Sequence, residues 1–173
     1  GLKFPTGLRA GQKLGLMLRN LTLPVRSVDD FDDLRIPFRA VATDIATGNK
    51  VVLDHGDLPR ALRASMAIPT AFSAVEIDGK LLVDGGVSDN VPVDVVREMG
   101  ADVVIAIDIG TPLIAGAEVG RSYLTILSQT LGFMTRANMA PQLAAADLVI
   151  TPAVADFGTL EFSAGREIIA KGE

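Results

Sequence analysis

The sequence predicts an α/β fold with a mostly parallel central sheet, and three observations support this. Helical and strand-like segments alternate along most of the 173 residues. Residues 101–109 (ADVVIAIDI) form a nearly continuous apolar run, which is typical of a strand covered on both faces in a parallel sheet. Asp78-Gly79 separates two short β-type runs, which predicts a type I′ hairpin because both central residues of that turn need a positive φ.

The remaining elements follow from apolar spacing and from turn residues such as Thr47-Gly48-Asn49, which separate a strand from its antiparallel return. The longest helical segment contains Pro141, and a break is expected there. The predicted elements in order are helix 11–20, turn 29–34, strands 37–45 and 50–53, helix 57–66, strands 75–77 and 80–83, a helix from residue 89 or 90 to residue 100, strand 101–109, helix 121–146, strand 147–150 and helix 165–173.

Two helix starts carry polar residues that are predicted to cap them. Asp57 is expected to accept hydrogen bonds from the free amides of the first turn, where Pro59 fits because its missing N–H is not needed. Asp89 or Asn90 is expected to cap the following helix, with Pro92 in its first turn.

Composition excludes several classes of function. The formal net charge is −5 and no cluster of Lys and Arg with interleaved aromatic residues is present, so nucleic acid is a poor partner. The absence of cysteine removes thiolate nucleophiles and cysteine metal sites, and the one histidine, His55, excludes a metal site built from several histidines. Glycine-rich phosphate loops are missing as well, so neither a nucleotide cofactor nor a metal is predicted.

Residues 1–173 have the size of a single domain with a packed core, since 49% of the residues are apolar. No run of about 18 uncharged apolar residues exists, so no membrane-spanning helix is predicted. The N-terminus has neither an initiator Met nor a signal-peptide pattern, and the last helix stops abruptly. We therefore expect the chain to be a piece of a longer protein.

The segment Leu82-Val83-Asp84-Gly85-Gly86 is the strongest candidate for a functional site. A strand carries Asp84 to its C-terminal end, which is where ligands bind in open α/β sheets, and the glycines allow close approach of a substrate or a main chain. An aspartate that is desolvated at such a position acts as a general base. For the tripeptide alone, a simple turn whose carboxylate bonds local amides is the more common structure.

Three longer blocks resemble the bacterial patatin-like phospholipase family. Residues 38–48 (FRAVATDIATG) resemble the family strand FRAVATDI-x-TG, and residues 61–72 (ALRASMAIPTAF) resemble its A-x-RASMAIP-x-x-F block. Residues 82–93 (LVDGGVSDNVPV) resemble its LVDGG-x-x-x-N-x-P-V block, although the family usually has Asn where this chain has Asp89. The blocks occur in the family's order and at its spacing, and the resemblance covers most of residues 1–150.

The resemblance implies a three-layer α/β hydrolase that cleaves lipid acyl esters with a Ser-Asp dyad, and it implies that Asp84 is the dyad base. In the family, the serine lies in a G-x-S-x-G elbow and the oxyanion hole in a D-G-G-G-x-R-G loop, both upstream of FRAVATDI. Neither motif occurs here, and the nearest sequence, Gly120-Arg121-Ser122-Tyr123-Leu124, lacks the second glycine. Residues 1–173 are therefore expected to be the C-terminal portion of one hydrolase domain, lacking its N-terminal part and inactive alone.

Other polar residues have structural interpretations. Ser65 lies near the end of a helix without an elbow or an adjacent base, so a packing role is expected. His55 is predicted to lie in a surface loop and Asp44 to stabilise the turn after its strand. Asp108 ends a strand as Asp84 does, and it is also interpreted as structural.

Two functions of different classes remain open at this point. The parent protein is either a lipid acyl hydrolase, which would contact membranes peripherally, or a non-catalytic α/β binding module that kept the scaffold. An intact serine elbow upstream would favour the hydrolase, and a degenerate one would favour the binding module. A piece that lacks its first strands is also expected to expose a sheet edge that tends to associate. Residues 7–15 and the tail after residue 147 resemble exported members of the family, some of which carry an outer-membrane barrel, while compartment and oligomeric state stay open.

Overall fold

The computed structural model describes residues 7–69, 71–110, 123–157 and 162–172, and the chain divides into two compact units, Gly1–Asn90 and Val91–Glu173. In the first unit, the part of the chain that the structure describes forms two α-helices and a four-stranded sheet in the order β2-β1-β4-β3. Its elements are α1 (Gly7–Thr22), β1 (Ala40–Asp44), β2 (Lys50–Leu53), α2 (Leu58–Ser65), β3 (Val75–Ile77) and β4 (Lys80–Asp84).

All neighbouring strands in this sheet are antiparallel, so the prediction of a mostly parallel central sheet is wrong for it. The pairs β1–β2 and β3–β4 are hairpins, and the two strands of a hairpin run in opposite directions. β4 then pairs with the other side of β1, with Ala42 opposite Asp84. Every residue of β1 is buried, which shows that a fully buried strand does not need parallel neighbours.

The core of the first unit lies between α2 and the sheet. Phe31, Ala42 and Leu82 are completely buried there, packed with Ala61 and Ala64 of α2. Because alanine has no side chain beyond Cβ, α2 can lie close to β1 and β4. α1 packs against α2.

In the second unit, the described residues form three α-helices and a two-stranded sheet in which β5 and β6 are parallel. Its longest helix continues through Pro141 rather than breaking there, and the predicted start of that helix at residue 121 lies outside the described residues. The elements are α3 (Val93–Glu98), β5 (Ile105–Ile107), α4 (Tyr123–Ala145), β6 (Leu148–Ile150) and α5 (Gly165–Gly172).

The strand predicted over residues 101–109 is shorter and less buried than expected. Val104 and Ala106 are buried in a small core on one face. Ile105 and Ile107, on the other face, are 56% and 59% exposed. The prediction of a strand covered on both faces is therefore wrong, because the described residues pack against one face of β5 and leave the other open.

The helices form near their predicted positions, but both predicted side-chain caps are wrong. Asp57 makes no capping hydrogen bond with its side chain, and its carboxylate lies 4.0 Å from the guanidinium of Arg19 instead. α3 begins after Pro92, so Asp89 and Asn90 lie too far upstream to cap it. The hairpin between β3 and β4 is confirmed in position and in pairing.

The β3–β4 turn leads to a prediction about stability. Gly79 has a φ of 74°, and no atom lies within 4 Å of the position that a Cβ on Gly79 would take. Gly79→Ala is therefore expected to lower the free energy of unfolding by about 1 kcal/mol through backbone strain alone. Gly15→Ala is the control, since Gly15 also has open space but lies inside α1, where alanine stabilises by about 0.5–1 kcal/mol. Urea unfolding measures both changes, and equal destabilisation of the two variants would contradict the strain argument.

Candidate active site

Asp84 is the last residue of β4, and its main chain connects the three sequence blocks. Its N–H donates a hydrogen bond to the carbonyl of Ala67 at 3.1 Å. Its carbonyl accepts a hydrogen bond from the Thr43 hydroxyl at 2.9 Å. Ala67 belongs to the block at 61–72 and Thr43 to the block at 38–48, so segments that are distant in sequence meet at Asp84.

The carboxylate of Asp84 is half-buried and is held through one of its two oxygens. Oδ1 accepts a hydrogen bond from the N–H of Gly86 at 2.8 Å, and the chain continues there into a 3-10 turn, Gly85–Val87. Within the described parts of the chain, no group donates a hydrogen bond to Oδ2 and no lysine or arginine pairs with it. Oδ2 is therefore the oxygen that remains able to take a proton from a bound molecule.

Burial raises the pKa of Asp84 above its ordinary value of 3.8. The cause is desolvation, which disfavours the charged form, and the hydrogen bond from Gly86 opposes it by stabilising the carboxylate. Desolvation is the larger of the two effects. A carboxylate in this environment holds a proton more strongly than an exposed aspartate, which is the property that a general base needs.

Gly85 and Gly86 are required by two different contacts. A Cβ on Gly85 would lie 2.3 Å from the main-chain carbonyl oxygen of Val41, which is fixed in β1. A Cβ on Gly86 would lie 2.7 Å from the Asn90 Oδ1 and 3.1 Å from the Asp84 Oδ1. Gly85 therefore allows the turn to cross closely over a strand, and Gly86 leaves room for the carboxylate.

Two contacts that the sequence did not predict hold the turn after Asp84 in place. The buried Thr43 hydroxyl also lies 2.8 Å from the Ser88 hydroxyl. Lys50 on β2 forms an ion pair of 2.8 Å with Asp89, which is almost completely buried. A polar residue in an apolar strand was the available signal for Thr43, whereas Lys50 and Asp89 are 39 residues apart and have no local signal.

Comparison with known proteins adds to this geometry. The family described as "Patatin-like phospholipase" matches residues 4–97, which is more than half of the chain and includes all three blocks. The chain belongs to the patatin-like phospholipase family. The resemblance of the three blocks is thereby confirmed, and Asp84, Thr43 and Ala67 all lie within the matched residues.

Three relatives are similar to this chain over part of their length. An uncharacterized NTE family protein of Mycobacterium tuberculosis is 36% identical over 114 residues, which is 66% of this chain and 29% of the relative. Patatin-like phospholipase domain-containing protein 7 of Mus musculus is 45% identical over 82 residues, which is 46% of this chain and 6% of the relative. The human protein 6 of the same description is 43% identical over 82 residues, with the same two shares. This chain spans less than a third of the length of each of these relatives.

Two of the other polar candidates in this patatin-like chain have local roles. Asp44 accepts hydrogen bonds from the Ala46 N–H and the Thr47 hydroxyl, both at 3.0 Å, so its predicted role in the turn is confirmed. His55 is exposed, as predicted, and pairs with the carboxylate of Asp54. The hydrogen bond and charge of Asp54 raise the pKa of His55.

Ser65 and Asp108 are also in structural positions. Ser65 is the last residue of α2 and is half-buried. Asp108, in the second unit, accepts a hydrogen bond from the N–H of Gly110 at 2.8 Å, which closes a local turn. The Gly-Arg-Ser sequence at residues 120–122 lies outside the described residues.

A cavity of about 490 Å³ lies in the first unit, but Asp84 does not line it. It is lined by the last turn of α1, residues 23–29 and the first turn of α2. Arg19 and Arg26 line it together with Asp29 and Asp57, so its formal charges cancel. Among the described residues, no three His, Asp or Glu side chains are grouped as metal ligands. No helix in that part of the chain is long and apolar enough to cross a membrane.

The two glycines predict a difference between two otherwise similar variants. Gly85→Ala places its methyl group against the fixed Val41 carbonyl, so it is expected to cost about 3 kcal/mol of stability. Gly86→Ala meets only side-chain atoms, of which the nearest is the Asn90 Oδ1 at the end of a flexible side chain, and it is expected to cost less than about 1 kcal/mol. Thermal unfolding of the two purified variants measures this. Equal losses of stability would show that the approach of the turn to β1 is not what requires Gly85.

Proposed function

We propose that the full-length protein is a serine hydrolase of lipid acyl esters and that Asp84 is the base of its Ser-Asp dyad. The observation that carries the proposal is the state of the Asp84 carboxylate, which is desolvated, has a raised pKa, and receives no hydrogen bond on Oδ2 from the described residues. Membership of the patatin-like phospholipase family supports a lipid ester as the substrate class. Such substrates lie in membranes, so the protein must meet a lipid surface to reach them.

The serine and the oxyanion donors are proposed to come from outside this chain. The sequence contains neither a G-x-S-x-G elbow nor a D-G-G-G-x-R-G loop, and these supply the nucleophile and the backbone amides in this kind of hydrolase. In this proposal, residues 1–173 are the C-terminal portion of one three-layer catalytic domain. The chain alone is then expected to have no esterase activity.

The chemistry proceeds as two acyl transfers. The serine Oγ attacks the ester carbonyl carbon and gives its proton to the Asp84 Oδ2, and the proton then passes to the leaving alcohol as the ester C–O bond breaks. A water molecule attacks the resulting acyl-enzyme and gives a proton to Asp84, which returns it to the serine Oγ as the fatty acid leaves. Oδ1 stays bonded to the Gly86 N–H in each step, which keeps the carboxylate oriented.

Asp84→Asn is expected to lower kcat of the full-length protein by about a hundredfold or more, the usual scale for loss of a general base. The asparagine oxygen still accepts the hydrogen bond from Gly86, and the amide carries no charge to desolvate. The melting temperature is therefore expected to stay the same or to rise. Hydrolysis of a fluorogenic phospholipid measures kcat, and circular dichroism reports whether the fold is intact.

Asp44→Asn is the matched control for this variant, because Asp44 is also a buried carboxylate, on the neighbouring strand. It is expected to keep its activity, since the Asp44 carboxylate accepts its hydrogen bonds from its own turn. Full activity of Asp84→Asn would mean that Asp84 is only a turn residue. An inactive full-length protein would favour the non-catalytic binding module.

The pH dependence of kcat/KM provides an independent test. The acid limb of this profile reports the pKa of the essential base in the free enzyme. Because desolvation raises the pKa of Asp84, the carboxylate takes up its proton at a higher pH than an ordinary aspartate, and activity is lost correspondingly earlier as the pH falls. The acid limb is expected above pH 3.8, and Asp44→Asn is expected to leave it in place. A limb at or below that value would contradict the proposed base.

The raised pKa of Asp84 also affects stability. Activity is expected to be gained as the pH rises, whereas the contribution of Asp84 to stability is expected to fall. A carboxylate with a raised pKa in the folded state binds more protons when folded than when unfolded, so its contribution to stability falls as the pH rises through that pKa. At neutral pH both states are ionised, and the folded state carries the full cost of desolvation. Activity therefore requires the protonation state of Asp84 that is less favourable for folding.

A further inference from the structure

The first 28 residues differ in charge from the rest of the chain. The whole chain has a formal net charge of −5, yet this segment contains no Asp or Glu. α1 occupies most of it, so this helix has basic side chains and no acidic ones. The basic residues of the segment are Lys3, Arg9, Lys13, Arg19 and Arg26.

α1 also exposes apolar side chains. α1 packs against α2, and Leu18 of α1 is buried. Leu16, Met17 and Leu21 are 62%, 52% and 68% exposed. Lys13, Met17 and Leu21 follow one another at intervals of four residues and so share one side of the helix, with Leu16 three residues after Lys13. These four residues are the outward face of α1.

The basic charge and the exposed apolar side chains of α1 together indicate the kind of partner. Neither property indicates it alone. Single exposed leucines are common on soluble proteins, and the exposed face of β5 has apolar residues without basic ones. α1 contains basic residues, leucines and a methionine and no acidic residue of its own, and one of its cations, Arg19, lies 4.0 Å from Asp57. This is the composition of helices that lie in the membrane interface. Its apolar side chains enter the acyl boundary while lysine and arginine pair with anionic headgroups.

We propose that the outward face of α1 docks on a membrane surface that contains anionic lipids. The proposal goes beyond ester hydrolysis, since it assigns the part of the chain that meets the lipid. It rests on the proposed function only in that lipid is the substrate class. Docking needs neither the Asp84 carboxylate nor the missing serine, so a protein without activity is expected to bind as well.

The test is sedimentation of the full-length protein with vesicles, in the Asp84→Asn background so that no lipid is consumed. Vesicles of phosphatidylcholine alone are compared with vesicles of phosphatidylcholine and phosphatidylglycerol. Binding is expected on the anionic vesicles and is expected to weaken as salt is added. Lys13→Gln removes one charge and is expected to weaken binding about fivefold, and Lys13→Glu about twenty-five-fold. Leu21→Asp is expected to weaken binding at least about tenfold.

Matched controls come from α5, where Lys171 and Ile169 are also exposed and Ile169 is 64% exposed. Lys171→Glu and Ile169→Asp are expected to bind anionic vesicles as the parent does. Circular dichroism and the melting temperature show whether each variant is folded, and Lys13→Gln is a mild change that keeps the helix.

Four outcomes would overturn the proposal. These are no binding to either vesicle, equal binding to both, equal losses in the α5 and α1 variants, or a dimer that Leu21→Asp converts to a monomer without changing vesicle binding. The last outcome would assign the outward face to a second copy of the chain. Because vesicle binding is measured in an inactive background, each outcome is distinct from failure of the proposed hydrolysis.

Discussion

The antiparallel pairing of β1 with β4 is the constraint on which the candidate site depends. It places Ala42 opposite Asp84 and brings the buried Thr43 hydroxyl to the Asp84 carbonyl. The chain must then turn across the Val41 carbonyl, where only glycine fits. β1 is buried and is held by the core beneath α2. The carboxylate is therefore positioned by the packing of the first unit, and the loop after Asp84 contributes its orientation through a single amide.

Local signals predicted the parts of this unit, and nonlocal contacts determine how the parts are arranged. The Asp78-Gly79 turn, the buried strand at β1 and the glycines after Asp84 are each visible in a few neighbouring residues. Strand direction is not, because a run of buried apolar residues is compatible with parallel and antiparallel neighbours alike. Asp89 illustrates the same limit: its position suggested a helix cap, whereas its partner is Lys50 in a distant strand. The apolar run at β5 also predicted two covered faces, and one of them is open among the described residues.

The main chain of Asp84 is hydrogen-bonded through both its N–H and its carbonyl, whereas the surroundings of its side chain disfavour the charged carboxylate. The main-chain N–H donates to the carbonyl of the buried Ala67, just after α2, and the main-chain carbonyl accepts from the buried Thr43 hydroxyl of β1. The carboxylate, in contrast, gains one amide hydrogen bond and loses solvent. A turn selected only for stability would pair such a carboxylate with a cation or replace it, since buried unpaired charge is costly. Rigid backbone around a desolvated carboxylate is the arrangement expected where the side chain is kept for its proton affinity.

Charged residues are distributed unevenly along the chain. All 21 acidic residues follow residue 28, whereas five of the 16 basic residues precede it. Near an anionic surface, the lysine and arginine side chains of this segment are attracted, which favours an approach through α1. The exposed leucine and methionine side chains of α1 then add contact that salt does not screen. In the proposed docking, the cations therefore favour one direction of approach, and the apolar contacts strengthen the binding once it has formed.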